Sequence, residues 1–241
     1  MLRGRVTAAS AALLMVVVVT VGGALASTAA AATATQVSIA GKPKLAVYHD
    51  GAGGKTADVV RHRGALTTTD GAPVAGATVT LERKLASDAD WTALGDKTTD
   101  ANGKYTFYSY VAGNARYKVS FAGDATNAAS ESAEVPLKAM RDFNAKVVEK
   151  NRFAVLKGNI NPGWEHKVVH WEGRRCKTCA WGTIDKARAG STGSWAFRAP
   201  YAPAGKKWYF RATIDGTEDF VKSYSATLTT TTKRARTTIG R

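Results

Sequence analysis

Short stretches of alternating apolar and polar residues, separated by Gly, Pro, Asn and Asp, run through most of the chain. In residues 77–84 the alternation places Val79 and Leu81 on one face, and residues 104–110 are rich in aromatic and β-forming side chains. Turn residues recur about every 8–12 positions, and no apolar period of helix length is present. This pattern predicts short antiparallel strands and very little helix.

The individual strands can be placed from the same pattern. Their predicted positions are 44–48, 58–68, 77–84, 91–97, 104–110, 116–121 and 130–137, followed by 153–160, 166–172 and 207–214. Asp70-Gly71-Ala72-Pro73 predicts a turn, because Gly accepts a positive φ and Pro fixes its own. Asp100-Ala101-Asn102-Gly103 predicts a hairpin between the strands on either side of it.

An internal repeat divides the chain into two similar parts. Residues 91–107 (WTALGDKTTDANGKYTF) and 181–197 (WGTIDKARAGSTGSWAF) have the same length, and their Trp, turn Gly and Phe residues lie 90 positions apart. A period of this length predicts two copies of one domain of about 100 residues. We expect two tandem antiparallel β-sandwiches, with Trp91 and Trp181 in the two cores.

The predicted organisation has five parts. Residues 1–32 form a signal peptide with an Ala-rich cleavage region, 33–43 a flexible lead-in, 44–139 and 140–229 the two sandwiches, and 230–241 a basic disordered tail. Arg3 and Arg5 precede a short, mostly small and apolar run, and an A-x-A site follows it, which is typical of a secretory signal. An uncleaved membrane anchor is the alternative. No second run of spanning length is present, so we expect a soluble exported protein that is secreted, with association with the cell wall as the alternative.

Two segments of the first copy resemble a known class of domain. TTDGAPVAGATVTLERK (68–84) and TTDANGKYTF (98–107) are similar to the bacterial immunoglobulin-like and carboxypeptidase-regulatory-like repeats of secreted proteins from high-GC Gram-positive bacteria. The second copy has NPGWEHKVV in place of the P-V-x-G-A segment, so the resemblance reaches it only through the internal repeat. The resemblance implies an immunoglobulin-like fold and a binding, spacer or stalk role without catalysis.

Charge is distributed unevenly between the two copies. Residues 37–139 contain 12 Lys and Arg against 11 Asp and Glu, whereas residues 140–241 contain 20 against 8. A net charge of +12 on the second copy favours anionic partners. For an exported protein these are cell-wall or extracellular polysaccharides, or acidic lipid, and intracellular nucleic acid is not expected.

Cys176 and Cys179 are the only cysteines of the chain. In an exported protein a disulfide is the favoured interpretation, and the repeat aligns the pair with Ala86 and Ala89 between two strands. Thioredoxin-type redox chemistry normally uses a helix N-terminus, which is not predicted here. A metal site would add His166 and His170, but on a strand these histidines lie about 13 Å apart. Redox and metal functions remain alternatives to a structural bridge.

No other segment carries a strong signal for a metal, a cofactor or catalysis. Asp100-x-Asn102-Gly103 lacks the later ligands of a calcium loop, because Lys104 and Tyr105 follow it. There is no nucleophile elbow and no phosphate-binding Gly loop. We therefore expect a protein that is not an enzyme and has no cofactor.

The remaining candidate site is an aromatic and basic surface on the second copy, which has five Trp residues where the first copy has one. Exposed indoles beside Lys and Arg would suit stacking on sugar rings that carry anionic groups. The residues proposed for this surface are Trp171, Arg174, Arg175, Lys177, Trp195, Lys206, Lys207, Trp208 and Arg211. The functional hypothesis is adhesion to an anionic polymer. The alternatives are a protein-binding module and a spacer without a polymer ligand.

Overall fold

The structure is a computed structural model that describes residues 31–40, 44–48, 58–231 and 234–238. The predicted signal peptide lies outside the described residues apart from its last two positions. Within the described ranges the chain forms no helix and these strands: β1 (Thr35–Ala40), β2 (Lys44–Val47), β3 (Val59–Thr68), β4 (Thr78–Leu85), β5 (Thr92–Thr98), β6 (Lys104–Tyr110), β7 (Ala115–Phe121), β8 (Ser130–Glu131), β9 (Val135–Met140), β10 (Asp142–Glu149), β11 (Phe153–Asn161), β12 (Val168–Arg174), β13 (Gly182–Arg188), β14 (Ser194–Pro200), β15 (Trp208–Ile214), β16 (Ser223–Tyr224), β17 (Thr227–Thr231) and β18 (Arg234–Thr238). The all-β prediction is confirmed.

The first sandwich consists of strands β1–β9. Its smaller sheet has the order β1-β3-β6, and its larger sheet has the order β2-β9-β7-β4-β5, with β8 paired to β7. Both sheets contribute to one core, which includes Leu66 and Phe107 from the smaller sheet and Leu81 and Val119 from the larger one. The polar-apolar alternation therefore places one face of each sheet inside, as the sequence predicts.

The second sandwich, strands β10–β18, repeats this topology except at one edge of the larger sheet, where β18 follows β17 and pairs with it antiparallel, whereas β2 precedes β3 and pairs with β9 parallel. Its smaller sheet is β10-β11-β14 and its larger sheet is β13-β12-β15-β17-β18, with β16 paired to β15. In both sandwiches the pairings of the main strands are those of the immunoglobulin fold, except that β5 and β13 join the larger sheet. In the constant-type immunoglobulin domain the corresponding strand extends the other sheet. Two tandem immunoglobulin-like sandwiches are therefore confirmed.

The sequence predicts two segments without regular structure, but each of them contains a strand. Strand β1 lies in the predicted flexible lead-in and pairs with β3 along its whole length. Strand β18 lies in the predicted disordered tail and pairs with β17 from Thr231↔Arg234 to Thr227↔Thr238. Thr35, Val37 and Ile39 of β1 and Thr237 and Thr238 of β18 are β-branched residues, which suit a strand, and this preference outweighed the composition on which the predictions depended.

The turn at Asp100–Gly103 forms, but it does not make a hairpin. Gly103 N donates to Asp100 O at 2.9 Å, and one Asp100 carboxylate oxygen accepts from the amides of Asn102 and Lys104. The strands on either side, β5 and β6, belong to opposite sheets. The turn therefore carries the chain across the sandwich, and the hairpin prediction is wrong.

A glycine at the equivalent position of each sandwich allows the first strand of the smaller sheet, β1 or β10, to lie close to the neighbouring strand. Gly64 is paired with Tyr105 and Gly158 with Trp195. A Cβ atom at Gly64 would lie 1.8 Å from Ser38 O, and one at Gly158 would lie 1.8 Å from Asn144 O. Any side chain at these positions would push β1 or β10 off its sheet.

A loop of the second sandwich closes the core of the first. Phe220 is 4% exposed and belongs to the first core, where it makes an edge-to-face contact with Tyr48 at 6.0 Å. Asn114 donates from its amide nitrogens to Asp219 O at 2.6 Å and Glu218 O at 2.7 Å. Only Arg141 separates β9 from β10. The two sandwiches therefore share buried contacts.

Arg141 is the centre of this junction. Its guanidinium lies 4.2 Å from the Phe220 ring and 5.0 Å from the Trp164 ring. Its Nε donates to Pro162 O at 2.9 Å, and its backbone amide donates to the Ser223 hydroxyl at 2.9 Å. Burial lowers the pKa of Arg141 from its usual value, and the nearby charges of Asp219 and Glu165 act in the opposite direction. The cation is held mainly by ring faces and neutral acceptors.

Candidate ligand-binding surface

The outer face of the larger sheet in the second sandwich is organised around one carboxylate. Glu172 on β12 lies directly opposite Arg211 on β15. Arg211 donates to Glu172 Oε2 through Nε and approaches it through its terminal nitrogen, both at 2.8 Å. Lys222 Nζ lies 3.4 Å from Oε1, which also accepts from the Thr213 hydroxyl. Burial would raise the pKa of Glu172, but the hydrogen bond and charge of Arg211, with Lys222, outweigh it and lower that pKa.

Arginines and aromatic rings alternate across this face, in a row that we call the arginine–aromatic ladder. Its members in order are Tyr224, Arg211, Trp181, Arg174 and Tyr209. The guanidinium of Arg211 lies 5.2 Å from the Tyr224 ring and 4.3 Å from the Trp181 ring. The guanidinium of Arg174 lies 4.4 Å from the Trp181 ring and 5.3 Å from the Tyr209 ring. Each such contact stabilises by about 0.5–2 kcal/mol, depending on its exposure.

The first sandwich has a reduced version of the same arrangement. Lys118 lies opposite Glu82 and 3.5 Å from its carboxylate, and its Nζ lies 4.9 Å over the Trp91 ring. The Ser120 hydroxyl donates to Glu82 Oε1, as Thr213 does to Glu172. The repeated Trp is therefore a cover for a cation on the outer face. The prediction that Trp91 and Trp181 lie in the cores is wrong.

The two arginines of the ladder differ in charge balance. Arg211 is neutralised by Glu172, but Arg174 takes part in none of the ion pairs of the described residues. Its Nε is buried without a hydrogen-bond partner. Arg174 is therefore a cation held in place by two ring faces and left without a counter-charge.

Four further cations lie where β12 ends and β15 begins. Arg174 is paired with Tyr209, so Arg175 and the turn after it lie beside Trp208 and the residues before it. The guanidinium of Arg175 lies 5.4 Å from the Trp208 ring. We call this region the cationic end, and its members are Arg175, Lys177, Lys206, Lys207 and Trp208. Its four cations are exposed, and none joins an ion pair within the part of the chain that the structure describes.

The disulfide closes the turn that carries two of these cations. Cys176 and Cys179 are bonded, with their Cα atoms 5.1 Å apart, so the predicted bridge is present. Cys179 N donates to Cys176 O at 3.3 Å in the same turn. The bridge limits the conformations of the segment that presents Arg175 and Lys177.

Two of the predicted surface indoles are in the core. Trp171 is 2% exposed and stacks between Phe197 at 5.1 Å and Phe210 at 5.5 Å. Trp195 is 5% exposed and makes an edge-to-face contact with Phe143. Both were expected on the ligand surface, and that expectation is wrong. They lie at inward positions of β12 and β14, where the alternation of the strand decides the face.

Trp208 is partly exposed and stays on the candidate surface. The cross-strand pair Glu172–Arg211 is equivalent to Glu82–Lys118. The offset between the copies is therefore 90 residues at β12 and 93 residues at β15. Trp208 therefore corresponds to Ala115, so the first copy has no aromatic residue at this position. The same offset aligns Ser225 with Ser132, and the hydroxyl of each accepts a β15 or β7 backbone amide at 3.0 Å.

Sequence reasoning missed Trp181, Tyr209, Tyr224 and Glu172 as surface residues. Glu172 could have been found, because the repeat aligns it with Glu82 at a polar position of an alternating strand. Trp181 was obscured by the resemblance to immunoglobulin domains, in which one indole is buried. Tyr224 gave no signal, since its equivalent in the first copy is Glu131, which is not aromatic.

The histidines of the metal alternative do not meet the cysteines. His170 Nε2 lies 3.4 Å from Asp215 Oδ2, and His166 is an exposed turn residue whose carbonyl accepts from Arg188. No group of three or more His, Cys, Asp or Glu side chains within the described ranges is arranged to hold a metal ion. Among the same residues, no helix is long and apolar enough to cross a membrane.

Comparison with known proteins finds similarity to solved structures but not to sequence families or curated proteins. No sequence-family model matches the chain, and no curated protein matches it by sequence. The interferon gamma receptor alpha chain from chicken has a TM-score of 0.40 and 8% identity over 72% of this chain and 94% of that one. The tetra-tandem repeat from the extending region of a large adhesion protein has a TM-score of 0.33 and 16% identity, over 86% and 49%.

A fragment of intimin, solved with the intimin-binding domain of its translocated receptor, is a third similar structure. Its TM-score is 0.34 and its identity 13%, over 81% of this chain and 63% of that one. Likenesses of this size carry no argument about what the present chain binds. The fold assignment rests on its own strand order and paired cores.

Proposed function

We propose that the chain is an exported, non-catalytic binding protein whose second sandwich holds an anionic polymer. The observation that carries the proposal is the charge imbalance at the cationic end. Arg175, Lys177, Lys206 and Lys207 lie together beside Trp208 without a described carboxylate partner. Arg174, which is also unneutralised, lies next to them on the ladder.

The ladder supports this surface by keeping it rigid. Arg174 is fixed between Trp181 and Tyr209, so it loses little conformational freedom when an anion binds. An arginine fork suits carboxylate and phosphate oxygens, whereas the flanking lysines act as point charges that attract a polyanion along its length. The partly exposed indole of Trp208 offers an aromatic surface on which a sugar ring can pack.

The first sandwich serves as a contrast. On its larger sheet Lys118 is paired with Glu82 and Glu131, and Arg116 with Glu134. Over residues 37–139 as a whole, 12 Lys and Arg are balanced by 11 Asp and Glu. The surplus of positive charge is therefore particular to the second copy and is not a requirement of the fold. This supports a spacer role for the first sandwich and a binding role for the second.

The test is binding of the full chain to a glycerol phosphate polymer. The full chain is needed because Phe220 is part of the first core, so the second sandwich does not carry its own complete junction. Replacing Arg175, Lys177, Lys206 and Lys207 by Ser should weaken binding by about tenfold or more.

A matched control removes the same amount of charge elsewhere. Lys104, Lys138, Lys150 and Arg152 are exposed, and their replacement by Ser changes the net charge equally. This control should bind within about twofold of the native chain. Equal losses in the two variants would show a diffuse charge effect and would overturn the proposed site.

A protein partner is the second candidate, and one feature of the first sandwich favours it. Tyr108 is 66% exposed and Tyr110 54%, and they lie opposite Arg61 and Val59 on the outer face of the smaller sheet. Tyr and Arg are enriched in protein interfaces. Binding of a protein at this face should respond to Tyr108→Ser and vary little with salt, which separates it from polymer binding.

A further inference from the structure

A groove of about 530 Å³ opens on the second sandwich, away from the cationic end. It lies between the smaller sheet and the edge strand β13 of the larger one. The side chains that give it its character are Lys146 on β10, Lys157 and Asn159 on β11, Ser194 and Ala196 on β14, and Arg188 on β13. The small residues Ala187 and Ala196 leave space that larger side chains would fill.

Two like charges lie directly opposite each other in this groove. Lys146 is paired with Lys157, and Lys157 is paired in turn with Ala196. Like charges in directly opposite positions of adjacent strands destabilise a sheet. None of the ion pairs among the described residues involves Lys146, Lys157 or Arg188. An anion bound between them would relieve this repulsion.

Hydrogen bonds fix two of the polar groups. Arg188 donates from one terminal nitrogen to His166 O at 2.9 Å, which sets the direction of its guanidinium. The Asn159 amide nitrogen donates to Thr192 O at 3.0 Å, which fixes the plane of that side chain. A guanidinium held in this way is prepared for oxyanion binding before the ligand arrives.

The equivalent place in the first sandwich lacks most of this charge. The strand pairings align Lys146 with Ala40, Lys157 with Arg63 and Arg188 with Thr98. Ala196 aligns with Thr106. The fold therefore forms with one cation at this place, and the three cations of the second sandwich are an addition to it.

We propose that this groove is a second anion site, which takes a tetrahedral oxyanion carried on a sugar or polyol unit. Lys146 and Lys157 supply the charge, and Arg188 supplies the directed hydrogen bonds. The volume lies within the range of about 300–1,000 Å³ that holds small organic ligands, so the groove accommodates the carbon skeleton beside the oxyanion. The site is separate from the cationic end, and the proposal does not depend on the function assigned to that end.

The experiment follows backbone amide signals of the full, isotopically labelled chain by NMR. The probes are inorganic phosphate, inorganic sulfate and glycerol 3-phosphate, each titrated at constant ionic strength. We expect saturable shifts at the amides of Gly158, Asn159 and Ala196, with tighter binding of glycerol 3-phosphate than of phosphate. Comparison of phosphate with sulfate shows which oxyanion the groove prefers.

Variants assign the shifts to the proposed groups. The double substitution Lys157→Ser with Arg188→Ser should weaken binding by about tenfold or more. Arg188→Lys keeps the charge and loses the fork, so it should give an intermediate affinity. Lys206→Ser with Lys207→Ser, at the cationic end, should leave the groove shifts unchanged.

Three results would overturn the proposal. They are shifts that do not saturate, shifts that centre on Arg175 and Lys207, and shifts that persist in the Lys157→Ser, Arg188→Ser variant while its remaining spectrum is native-like. Failure of the chain to bind a polymer would count against the cationic end only, because the small probes report on the groove directly.

Discussion

The guanidinium of Arg211 lies 4.3 Å from the ring of Trp181, on the outer face of the sheet and not in the core. Lys118 has the same relationship to Trp91 at 4.9 Å. The residue that most clearly marks the repeat is thus a cover over a cation that is bonded to a carboxylate. Its conservation between the two copies reflects a charge cluster on the surface of each sandwich.

This cluster predicts a measurable cost for Glu172→Gln. Arg211 and Lys222 would lose the counter-charge of a buried carboxylate, so the free energy of unfolding should fall by about 1–3 kcal/mol. Urea unfolding followed by far-UV circular dichroism measures this change. The control is Glu134→Gln, which affects an exposed ion pair with Arg116 and should cost less than about 1 kcal/mol. Equal effects would contradict the central role of Glu172.

The same carboxylate gives a pH dependence with a defined sign. The pKa of Glu172 is lowered in the folded chain, because Arg211 and Lys222 outweigh the effect of burial. Its contribution to stability is present above the unfolded pKa of about 4.5 and is lost as the pH falls through the lower folded value. The Glu172→Gln variant should show a flatter stability profile in that range.

His62 predicts a second acid-sensitive step, at higher pH. Burial lowers its pKa to about 4, from 6.5. The unfolded chain therefore binds a proton that the folded chain does not, and stability falls as the pH decreases from 6.5 to 4. The free energy of unfolding should fall by about 3 kcal/mol in total over this pH range. Urea unfolding at a series of pH values checks it.

A matched variant for His62 comes from the second sandwich. His62 Nε2 is hydrogen-bonded to the Ser109 hydroxyl at 2.9 Å, and the equivalent residues of the second copy are Leu156 and Ala199. The double substitution His62→Leu with Ser109→Ala should remove the loss of stability between pH 6.5 and 4. Retention of the loss would show that another group causes it.

The junction predicts that the two sandwiches unfold together. Phe220→Ala would leave a cavity in the first core, at a cost of about 3–5 kcal/mol, although residue 220 belongs to the second sandwich. We expect one thermal transition for the native chain and two for the variant, by differential scanning calorimetry. Tyr108→Ala, which removes an exposed ring, is the control and should keep the single transition. Two transitions in the native chain would contradict a shared junction.

The disulfide should contribute little to global stability. Its loop contains so few residues that the entropy removed from the unfolded chain corresponds to about 2 kcal/mol at most. Replacing Cys176 and Cys179 by Ser should therefore lower the thermal midpoint only modestly and leave the fold intact. Loss of cooperative unfolding in this variant would show a larger structural role.

The strands were predictable because their signals are local. Alternation in segments such as β4 and β14 sets which residues face inward, and Gly or Asn-Gly turns end the strands. The same locality explains the errors. The Asp100–Gly103 turn reverses the chain, but it does not specify which sheet receives β6. Phe220 completes a core formed by residues far from it in sequence, so no local pattern could have assigned it.

The candidate surface was predicted only in part, for a related reason. Composition identified the basic and aromatic second copy, and Arg174, Arg175, Arg211 and Trp208 do lie on one surface. Composition cannot distinguish inward from outward indoles, and Trp171 and Trp195 are inward because of their position in the strand. It also could not show that Arg211 is neutralised by Glu172 while Arg174 is not.

The most direct test of the proposed function is the salt dependence of polymer binding. The affinity of the full chain for a glycerol phosphate polymer is measured at about 0.05 M and about 0.5 M salt, for the native chain and for the variant with Ser at 175, 177, 206 and 207. The account predicts a loss of about tenfold or more for the native chain at the higher salt, and a much smaller change for the variant. An affinity that does not change with salt, or that changes equally in both proteins, would contradict it.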